Sequence, residues 1–368
     1  MGRRFLYVTT LLIAIAFALT GCNNRQVTFE PLPTLMQLEG RVISIYAGSG
    51  MSFAIMDDSS LWGWGSFFNP LRMESVSTEA PEIILENVQA IAVGTHISME
   101  NRSDTFHVIK TDNTLWGWGD NDFGQLGDGT LEFRDTPVKI MEDVIAVSSD
   151  WSHTAAITSD NTLWTWGNNS FGQLGSGSSR SVPERVMNDV IAVSAGSDLT
   201  MAVTADGTLW AWGRNNAGQL GDNTRENRDY PVKIMEDVIM ASSSNTASMA
   251  IGADGVLWGW GCNTEAQLGA HGASCRIYPM PAGVRNAIYI SLGFRHTMAI
   301  TYDGMLWGWG TNYHGQVGNG RTHSRQQLPI RIMDNVIAVS AGENHTLAIT
   351  SDGSIWVWGD NSQGQLWS

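Results

Sequence analysis

One short pattern, a hydrophobic residue followed by Trp-x-Trp-Gly, constrains the fold of this chain more than any other feature. Fourteen of the 16 tryptophans belong to it. The copies lie at residues 61–65, 115–119, 163–167, 209–213, 257–261, 306–310 and 355–359. Successive copies are 46 to 54 residues apart, a period typical of repeat architectures. The chain is therefore built from seven copies of one structural unit.

Each copy predicts four short β-strands. A β-branched run such as Val144–Val147 comes first, a segment such as Thr154–Ile157 follows, and an Asp-Gly or Asp-Asn pair leads to the Trp strand. Asp-Gly between extended runs indicates a hairpin, because glycine adopts positive φ at little cost. We expect the fourth strand to start at a proline, as at Pro137, since a missing amide donor suits an outer strand. Seven such units predict an all-β, seven-bladed β-propeller of four-stranded blades.

The two ends of the sequence predict how the ring closes. The last copy stops at 364–368, before any proline-led fourth strand, whereas Pro33–Leu38 stands directly before the first-strand run Val42–Ile45. We therefore expect the N-terminal segment to complete the last blade, and residues 32–368 to form the propeller.

Alternation along the Trp strand predicts how the blades pack. Trp62 and Trp64 share one face of their sheet, and Gly63 lies on the other. Small residues opposite large ones allow the indoles of one blade to nest against its neighbour. We interpret the tryptophans as core residues rather than as a platform for ligand stacking.

The N-terminus has the pattern of an export signal. Arg3 and Arg4 precede the apolar run Leu11–Leu19, and Leu19-Thr20-Gly21-Cys22 follows. This end is similar to the lipobox at which bacterial lipoproteins are cleaved and acylated, so we predict a signal peptide at 1–21, lipidation of Cys22 and a linker at 22–31. An uncleaved anchor or ordinary secretion is the alternative. Every version places the body outside the cytoplasm, anchored in the cell envelope if Cys22 is lipidated.

Charge and cysteine usage agree with export. The formal net charge is −15, and removal of residues 1–21 would make it −17, because that segment carries two arginines and no acid. Without clustered Lys and Arg the chain is a poor partner for nucleic acid. Cys262 and Cys275 are 13 positions apart in one loop and are candidates for a disulfide, with two free thiols as the alternative.

The loop after each Trp strand carries a second signature, Gly-Gln-Leu-Gly or a variant of it, as at 124–127, 172–175 and 218–221. With Trp166-Gly167-Asn168 and the run 341–346, Ala-Gly-Glu-Asn-His-Thr, the chain resembles the regulator of chromosome condensation repeat family over about residues 33–367. The resemblance implies a seven-bladed propeller. Known functions in that family include nucleotide exchange on a small GTPase, and secreted relatives inhibit β-lactamases. We find no inserted hairpin comparable to the wedge of the exchange factors.

The sequence offers little catalytic chemistry. His153, His296 and His345 occupy one position in three copies, where other copies lack histidine, and we interpret them as structural hydrogen-bonding residues rather than metal ligands. No nucleophile elbow, phosphate-binding loop or calcium loop is present. We expect no enzymatic activity, no cofactor and no bound metal.

The loops in which the copies differ are the best candidates for a binding site. The first copy replaces Gly-Gln-Leu-Gly with 66–71, which includes Phe67 and Phe68, and the second has about eight extra residues between Gly94 and Thr105. Trp151, Phe294 and Arg295 lie in other loops, and aromatic and Arg side chains are typical of protein-binding hot spots.

The sequence thus favours a lipid-anchored extracytoplasmic propeller that binds an unidentified protein. The main alternative is a module that binds carbohydrate or cell wall through exposed aromatic residues. Exchange activity on a GTPase and β-lactamase-type inhibition are the less favoured alternatives.

Overall fold

The computed structural model is a ring of seven antiparallel four-stranded sheets, and it describes residues 33–36, 38, 40–95, 104–272, 274–322 and 324–367. The first strands of neighbouring blades contact one another, so they line the central channel. From the channel outward the strands are as follows. First strands are β2 (Val42–Ala47), β6 (Val88–Thr95), β10 (Val144–Ser149), β14 (Val190–Gly196), β18 (Val238–Ser243), β22 (Ala287–Leu292) and β26 (Val336–Ala341). Second strands are β3 (Met51–Met56), β7 (Asp104–Lys110), β11 (His153–Thr158), β15 (Leu199–Thr204), β19 (Ala247–Gly252), β23 (His296–Thr301) and β27 (His345–Thr350). Third strands are β4 (Leu61–Asn69), β8 (Leu115–Gly119), β12 (Leu163–Gly167), β16 (Leu209–Gly213), β20 (Leu257–Gly261), β24 (Leu306–Gly310) and β28 (Ile355–Gly359). Outer strands are β5 (Glu74–Leu85), β9 (Arg134–Met141), β13 (Arg180–Met187), β17 (Arg228–Met235), β21 (Arg276–Pro281), β25 (Gln326–Met333) and β1 (Thr34–Met36).

Blades 1 to 6 each use four consecutive strands, and blade 7 combines β26, β27 and β28 with β1 from the other end of the chain. Leu35 pairs with Trp356, and Met36 pairs with Ile355. This confirms the predicted architecture and the predicted ring closure. The described part of the chain contains no helix that is long and apolar enough to cross a membrane.

The propeller has two different ends. The first strands run toward one end, where the loops between first and second strands and between third and outer strands lie; we call it the loop face. The tight turns between second and third strands lie at the other end, together with the connections that lead into each first strand. We call this end the turn face.

The second tryptophan of each repeat fastens its blade to the preceding one. Trp166 is fully buried, and its indole N–H donates to the carbonyl of Gln125 in the Gly-Gln-Leu-Gly loop of blade 2 (2.8 Å). The Thr154 hydroxyl donates to the same oxygen (2.9 Å). The corresponding tryptophans donate to the carbonyls of Gln365, Gln173, Gln219, Gln267 and Gln316. Since a buried indole N–H needs an acceptor, both sequence signatures form one blade junction.

The final glycine of the Gly-Gln-Leu-Gly loop is required by the same junction. Gly318 has a φ of +79°, and a Cβ there would lie 2.7 Å from the indole nitrogen of Trp358. Gly353, in a turn of blade 7, has a φ of +85° but no atom within 4 Å of such a Cβ. The two glycines therefore separate backbone strain from loss of packing at the junction.

We predict that Gly318→Ala lowers the free energy of unfolding by about 3 kcal/mol or more, because it adds displacement of a buried indole to the strain of positive φ. Gly353→Ala carries only the strain, about 1–2 kcal/mol. Urea unfolding of both variants measures the difference. Equal destabilisation would show that the indole contact does not require glycine.

The outer strands begin earlier than the sequence indicated. β9 starts at Arg134, and Pro137 lies inside it rather than at its first residue. The pairing of β8 with β9 passes from Gly117–Val138 to Gly119–Arg134, so the ladder is irregular where the proline lies. The prediction was wrong about the strand start, because a bulge accommodates the missing amide as well as a strand end does.

Blade 1 differs from the others by a long hairpin. β4 continues to Asn69 and β5 begins at Glu74, so that Ser66 pairs with Ser77 and Phe68 with Ser75 beyond the usual length of the blade. This extension of β4 and β5 was not predicted from the sequence. The hairpin extends toward the loop face, with Leu71 and Met73 near its tip.

Candidate functional site

The channel opens on the loop face into a cavity of about 160 Å³. It lies among the ends of the first strands and the loops that follow them, so every blade contributes to its wall. The lining is mostly small and polar. Its larger side chains are Tyr46, Asp150, Leu292, Phe294 and Glu343.

Hydrogen bonds between neighbouring blades hold this wall. The Ser148 hydroxyl accepts the backbone N–H of Ala195 from the next blade (2.9 Å). Four more serines do the same at their own junctions, Ser194, Ser242, Ser291 and Ser340. Blade 1 has Tyr46 at this position, and its hydroxyl instead donates to the carbonyl of Val93 (2.7 Å).

Carboxylates give the cavity an acidic wall. The Ser49 hydroxyl donates to the carboxylate of Glu343 across the junction of blades 7 and 1. Burial raises the pKa of Asp150 to about 7, and hydrogen bonds from Trp151 and Ser197 oppose this only in part. Asp198 also has a raised pKa because of burial, although Arg214 lies 3.2 Å away and opposes the shift. The cavity lining itself includes two carboxyl groups, those of Asp150 and Glu343, and does not include Asp198.

The three equivalent histidines lie in the blade junctions and not in the cavity lining. The Nε2 atom of His153 lies 2.9 Å from the Thr200 hydroxyl, which itself donates to the carbonyl of Gln173. Because that hydroxyl proton is already used, the imidazole N–H must be the donor. His296 contacts Thr346 (2.8 Å), and His345 contacts Ser52 (2.9 Å), in the same way. Among the described residues, no group of three His, Cys, Asp or Glu side chains is placed to hold a metal ion.

An exposed apolar cluster, which we call the apolar patch, lies on the loop face of blades 1 and 2. It consists of Leu71, Met73, Phe123, Leu131 and Phe133, which are 38–61% exposed. Phe133 packs edge-on against Phe68 (centroids 5.1 Å apart), and Phe123 packs in the same way against Trp151 (5.2 Å). Phe123 and Leu131 also line one shallow depression. The patch therefore joins the hairpin of blade 1 to the loops of blades 2 and 3.

The structure separates the five residues that the sequence singled out. Phe67 is 3% exposed and packs against Phe53 in the core, so it is not available to a partner. Phe68 and Trp151 are partly buried and support the apolar patch. Phe294 lines the cavity in blade 6, with the Arg295 guanidinium 5.1 Å from its ring centre. Two candidates therefore support the patch, Phe294 lines the cavity, and Arg295 contacts Phe294.

Sequence reasoning missed the exposed members of the patch. Leu131 and Phe133 replace the serines and polar residues at the same place in other copies, and comparison of the copies would have shown this. The tip of the hairpin was not recognised because β4 was expected to end at Gly65. The insertion at 96–103 and Cys22 lie outside the described residues. Cys262 and Cys275 are joined by a disulfide in the loop of blade 5.

Comparison with protein-family models decides the family. A model described as "RCC1-like domain" matches residues 101–325. The chain belongs to the RCC1-like domain family. Models of the regulator of chromosome condensation (RCC1) repeat also match this RCC1-like domain at 303–349 and 336–365.

Solved structures share the fold of this RCC1-like domain at low sequence identity. Human WBSCR16 is 21% identical, with a TM-score of 0.73 and coverage of 90% of this chain and 89% of its own. Prp20p of Saccharomyces cerevisiae, in a study of its binding to Gsp1p and histones, is 18% identical, with a TM-score of 0.70 and coverage of 88% and 84%. The same yeast protein bound to Kap60 is 17% identical, with a TM-score of 0.72 and coverage of 88% and 82%.

Proposed function

We propose that this RCC1-like domain is a non-enzymatic protein-interaction module that is lipid-anchored in the cell envelope and binds its partner through the apolar patch. The observation that carries the proposal is the exposure of five large apolar side chains on the loop face of blades 1 and 2: Leu71, Met73, Phe123, Leu131 and Phe133. Such a cluster on one side of a soluble propeller is typical of a protein-binding surface.

The architecture supports a rigid binding platform. Phe68 and Trp151, which lie beneath the exposed rings of Phe133 and Phe123, are themselves packed on the blades, so little side-chain freedom is lost on binding. The yeast relative Prp20p, whose structures are described with Gsp1p, histones and Kap60, supports use of this fold for protein partners. Location outside the cytoplasm rests on the lipobox-like segment that ends at Cys22.

The test is affinity capture from an envelope extract with residues 23–368 as bait. The patch variant carries Phe123→Ser, Leu131→Ser and Phe133→Ser. A matched control removes three exposed aromatic residues elsewhere, Tyr230→Ser, Tyr302→Ser and Tyr313→Ser; Tyr313 and Phe133 are 49% and 50% exposed. We expect one protein to bind the wild type and the control, and to bind the patch variant at least about tenfold less tightly when purified.

Digestion of glycans in the extract distinguishes a protein partner from a carbohydrate or cell-wall ligand. A partner that survives digestion supports a protein ligand. Recovery of cell-wall polymer alone would favour the carbohydrate-binding function. Equal capture of one protein by all three baits would overturn the assignment to the apolar patch.

A further inference from the structure

The turn face carries an apolar feature of its own. Six of the seven first strands have isoleucine as their second residue, at the end of the channel away from the cavity. Each is about half exposed, between 48% and 60%. We call them the isoleucine ring: Ile43, Ile145, Ile191, Ile239, Ile288 and Ile337. Blade 2 has Gln89 instead, and its amide donates to Asn113 (2.8 Å).

A bulge explains why these isoleucines are exposed. In blade 3, Val144 pairs with Thr158 and Ala146 with Ile157, so Ile145 has no partner on β11. The same shift occurs at the first strand of every blade. Val144 is fully buried and already fills the space between the blades. The isoleucine is therefore not needed for packing within the repeat.

Acidic turns surround the ring. The Val190 N–H, next to Ile191, donates to the carbonyl of Asn161 in the preceding blade (2.9 Å), and the Ala205 N–H donates to the carbonyl of Asp189 (2.8 Å). These bonds recur around the propeller and hold each Asp-bearing turn beside a first strand. The turns contribute Asp58, Asp112, Asp160, Asp206, Asp254, Asp303 and Asp352, and the connections between blades add Glu86, Asp143, Asp189, Asp237 and Asp334.

Basic side chains do not balance this charge, although exposed Arg41 and Arg285 lie in the connections that precede β2 and β22. Lys139 pairs with Glu142 (2.8 Å), and Lys233 pairs with Glu236 (2.5 Å), so both are already matched by acids of the connections. Lys110 and Arg331 lie over the rings of Trp116 and Trp307. Hydrogen bonds from the Thr114 hydroxyl and backbone lower the pKa of Asp112. Hydrogen bonds from the Thr204 hydroxyl and from Thr208 lower the pKa of Asp206. Asp112 and Asp206 are therefore ionised at neutral pH.

We propose that the turn face is a second binding surface, and that it takes a cationic amphipathic segment of another protein. The apolar side of the segment would lie on the isoleucine ring, and its Lys or Arg residues would lie over the surrounding aspartates. A second copy of this chain would bring two acidic rims together, and an anionic membrane surface would also be repelled. This proposal uses the end of the propeller away from the apolar patch and does not depend on the function proposed above.

The test uses a fluorescein-labelled amphipathic peptide of about 18 residues, with leucine on one helical side and lysine on the other. Fluorescence anisotropy measures its binding to the full chain. Ile145→Ser, Ile191→Ser and Ile239→Ser together are expected to weaken binding at least about tenfold. Replacement of the same three residues by leucine is expected to retain binding. Asp160→Asn, Asp206→Asn and Asp254→Asn together are expected to weaken it and to reduce its dependence on salt.

A matched control removes three exposed aliphatic residues from outer strands, Val182→Ser, Leu328→Ser and Ile330→Ser, and is expected to bind as the wild type does. Near-ultraviolet circular dichroism verifies that each variant is folded. The proposal would be overturned if the serine variant bound the peptide with unchanged affinity, or if a peptide with glutamate in place of lysine bound equally well. It would also be overturned if the wild-type chain formed a dimer and the serine variant were a monomer.

Discussion

Acidification from pH 6.5 to 4.5 is expected to lower the free energy of unfolding by several kcal/mol, through imidazoles buried in the blades. Burial lowers the pKa of His107, His153 and His345 to about 4 and that of His296 to about 3. An unfolded chain protonates histidine near pH 6.5. Between these values the unfolded state binds more protons than the folded state, so stability is complete above pH 6.5 and falls as the pH falls.

Within that window, each buried imidazole lowers the free energy of unfolding by about 1.4 kcal/mol for each pH unit of acidification. Asp150 opposes the trend, because its pKa is raised to about 7 and acidification relieves the cost of its buried charge. Burial also raises the pKa values of Asp120 and Asp198, which oppose the trend in the same way, but these three carboxyl groups are fewer than the four imidazoles. Asp112, Asp160 and Asp206 have lowered pKa values, and the stability that they contribute is lost only near and below pH 4.

The repeat itself suggests the variants for this measurement. Blade 4 has Leu199 and blade 1 has Met51 where blade 3 has His153. Urea unfolding of His153→Leu at pH 7, 6 and 5 is expected to show a pH dependence of the free energy of unfolding that is smaller by about 1 kcal/mol per pH unit, because pH 7 lies above the unfolded pKa. His314→Asn is the control, since that side chain is 48% exposed. An unchanged slope in His153→Leu would mean that His153 is not the group that titrates.

Substitution of one residue in the closing strand is expected to open the ring. Met36→Asp should lower the free energy of unfolding by about 3 kcal/mol, because Met36 is 5% exposed and packs with Ile355 and Val357, and burial of a Met side chain contributes about 1.5–3 kcal/mol. An aspartate at that site would bury an unpaired charge, so release of β1 is the less costly outcome. The edge of β28 would then lose its partner.

Leu35 on the same strand provides the control. It is 46% exposed, so Leu35→Asp is expected to change the free energy of unfolding by less than about 0.5 kcal/mol. Limited proteolysis should cleave the released segment on the N-terminal side of Arg41 in the Met36→Asp variant. The same segment should remain protected in the Leu35→Asp variant. Equal resistance of both variants would show that β1 does not hold blade 7 closed.

The fold could be predicted from the sequence because the repeats share the same short motifs: Trp-x-Trp-Gly, the Asp-Gly turn and the Gly-Gln-Leu-Gly loop. Each of these motifs serves contacts within its own blade or with the adjacent blade. The hydrogen bonds from Trp166 and Thr154 to the carbonyl of Gln125 are an example. Features that depend on register were predicted poorly. Pro137 lies at an irregular ladder step, and Phe67 points into the core because β4 continues past Gly65.

The candidate site was predicted only in part for the same reason. Comparison of the copies singled out Trp151 and Phe68 as departures from the repeat. These two side chains pack against the exposed rings of Phe123 and Phe133 and are themselves only partly exposed. The isoleucine ring follows the repeat, so a search for differences between copies passes over it. Its exposure depends on a bulge that alternation alone does not reveal.

The pairing of Thr34 with Val357 sets the order in which the molecule can be assembled. Six blades are built from neighbouring segments and can form as the chain emerges, whereas blade 7 must wait for residues that are made more than 300 positions apart. Joining such distant segments slows folding more than it costs in stability. During that delay β28 has a free edge, so the newly made protein is most exposed to aggregation in its final step. Because β1 closes the ring, we expect refolding to end with a slow phase in which blade 7 forms.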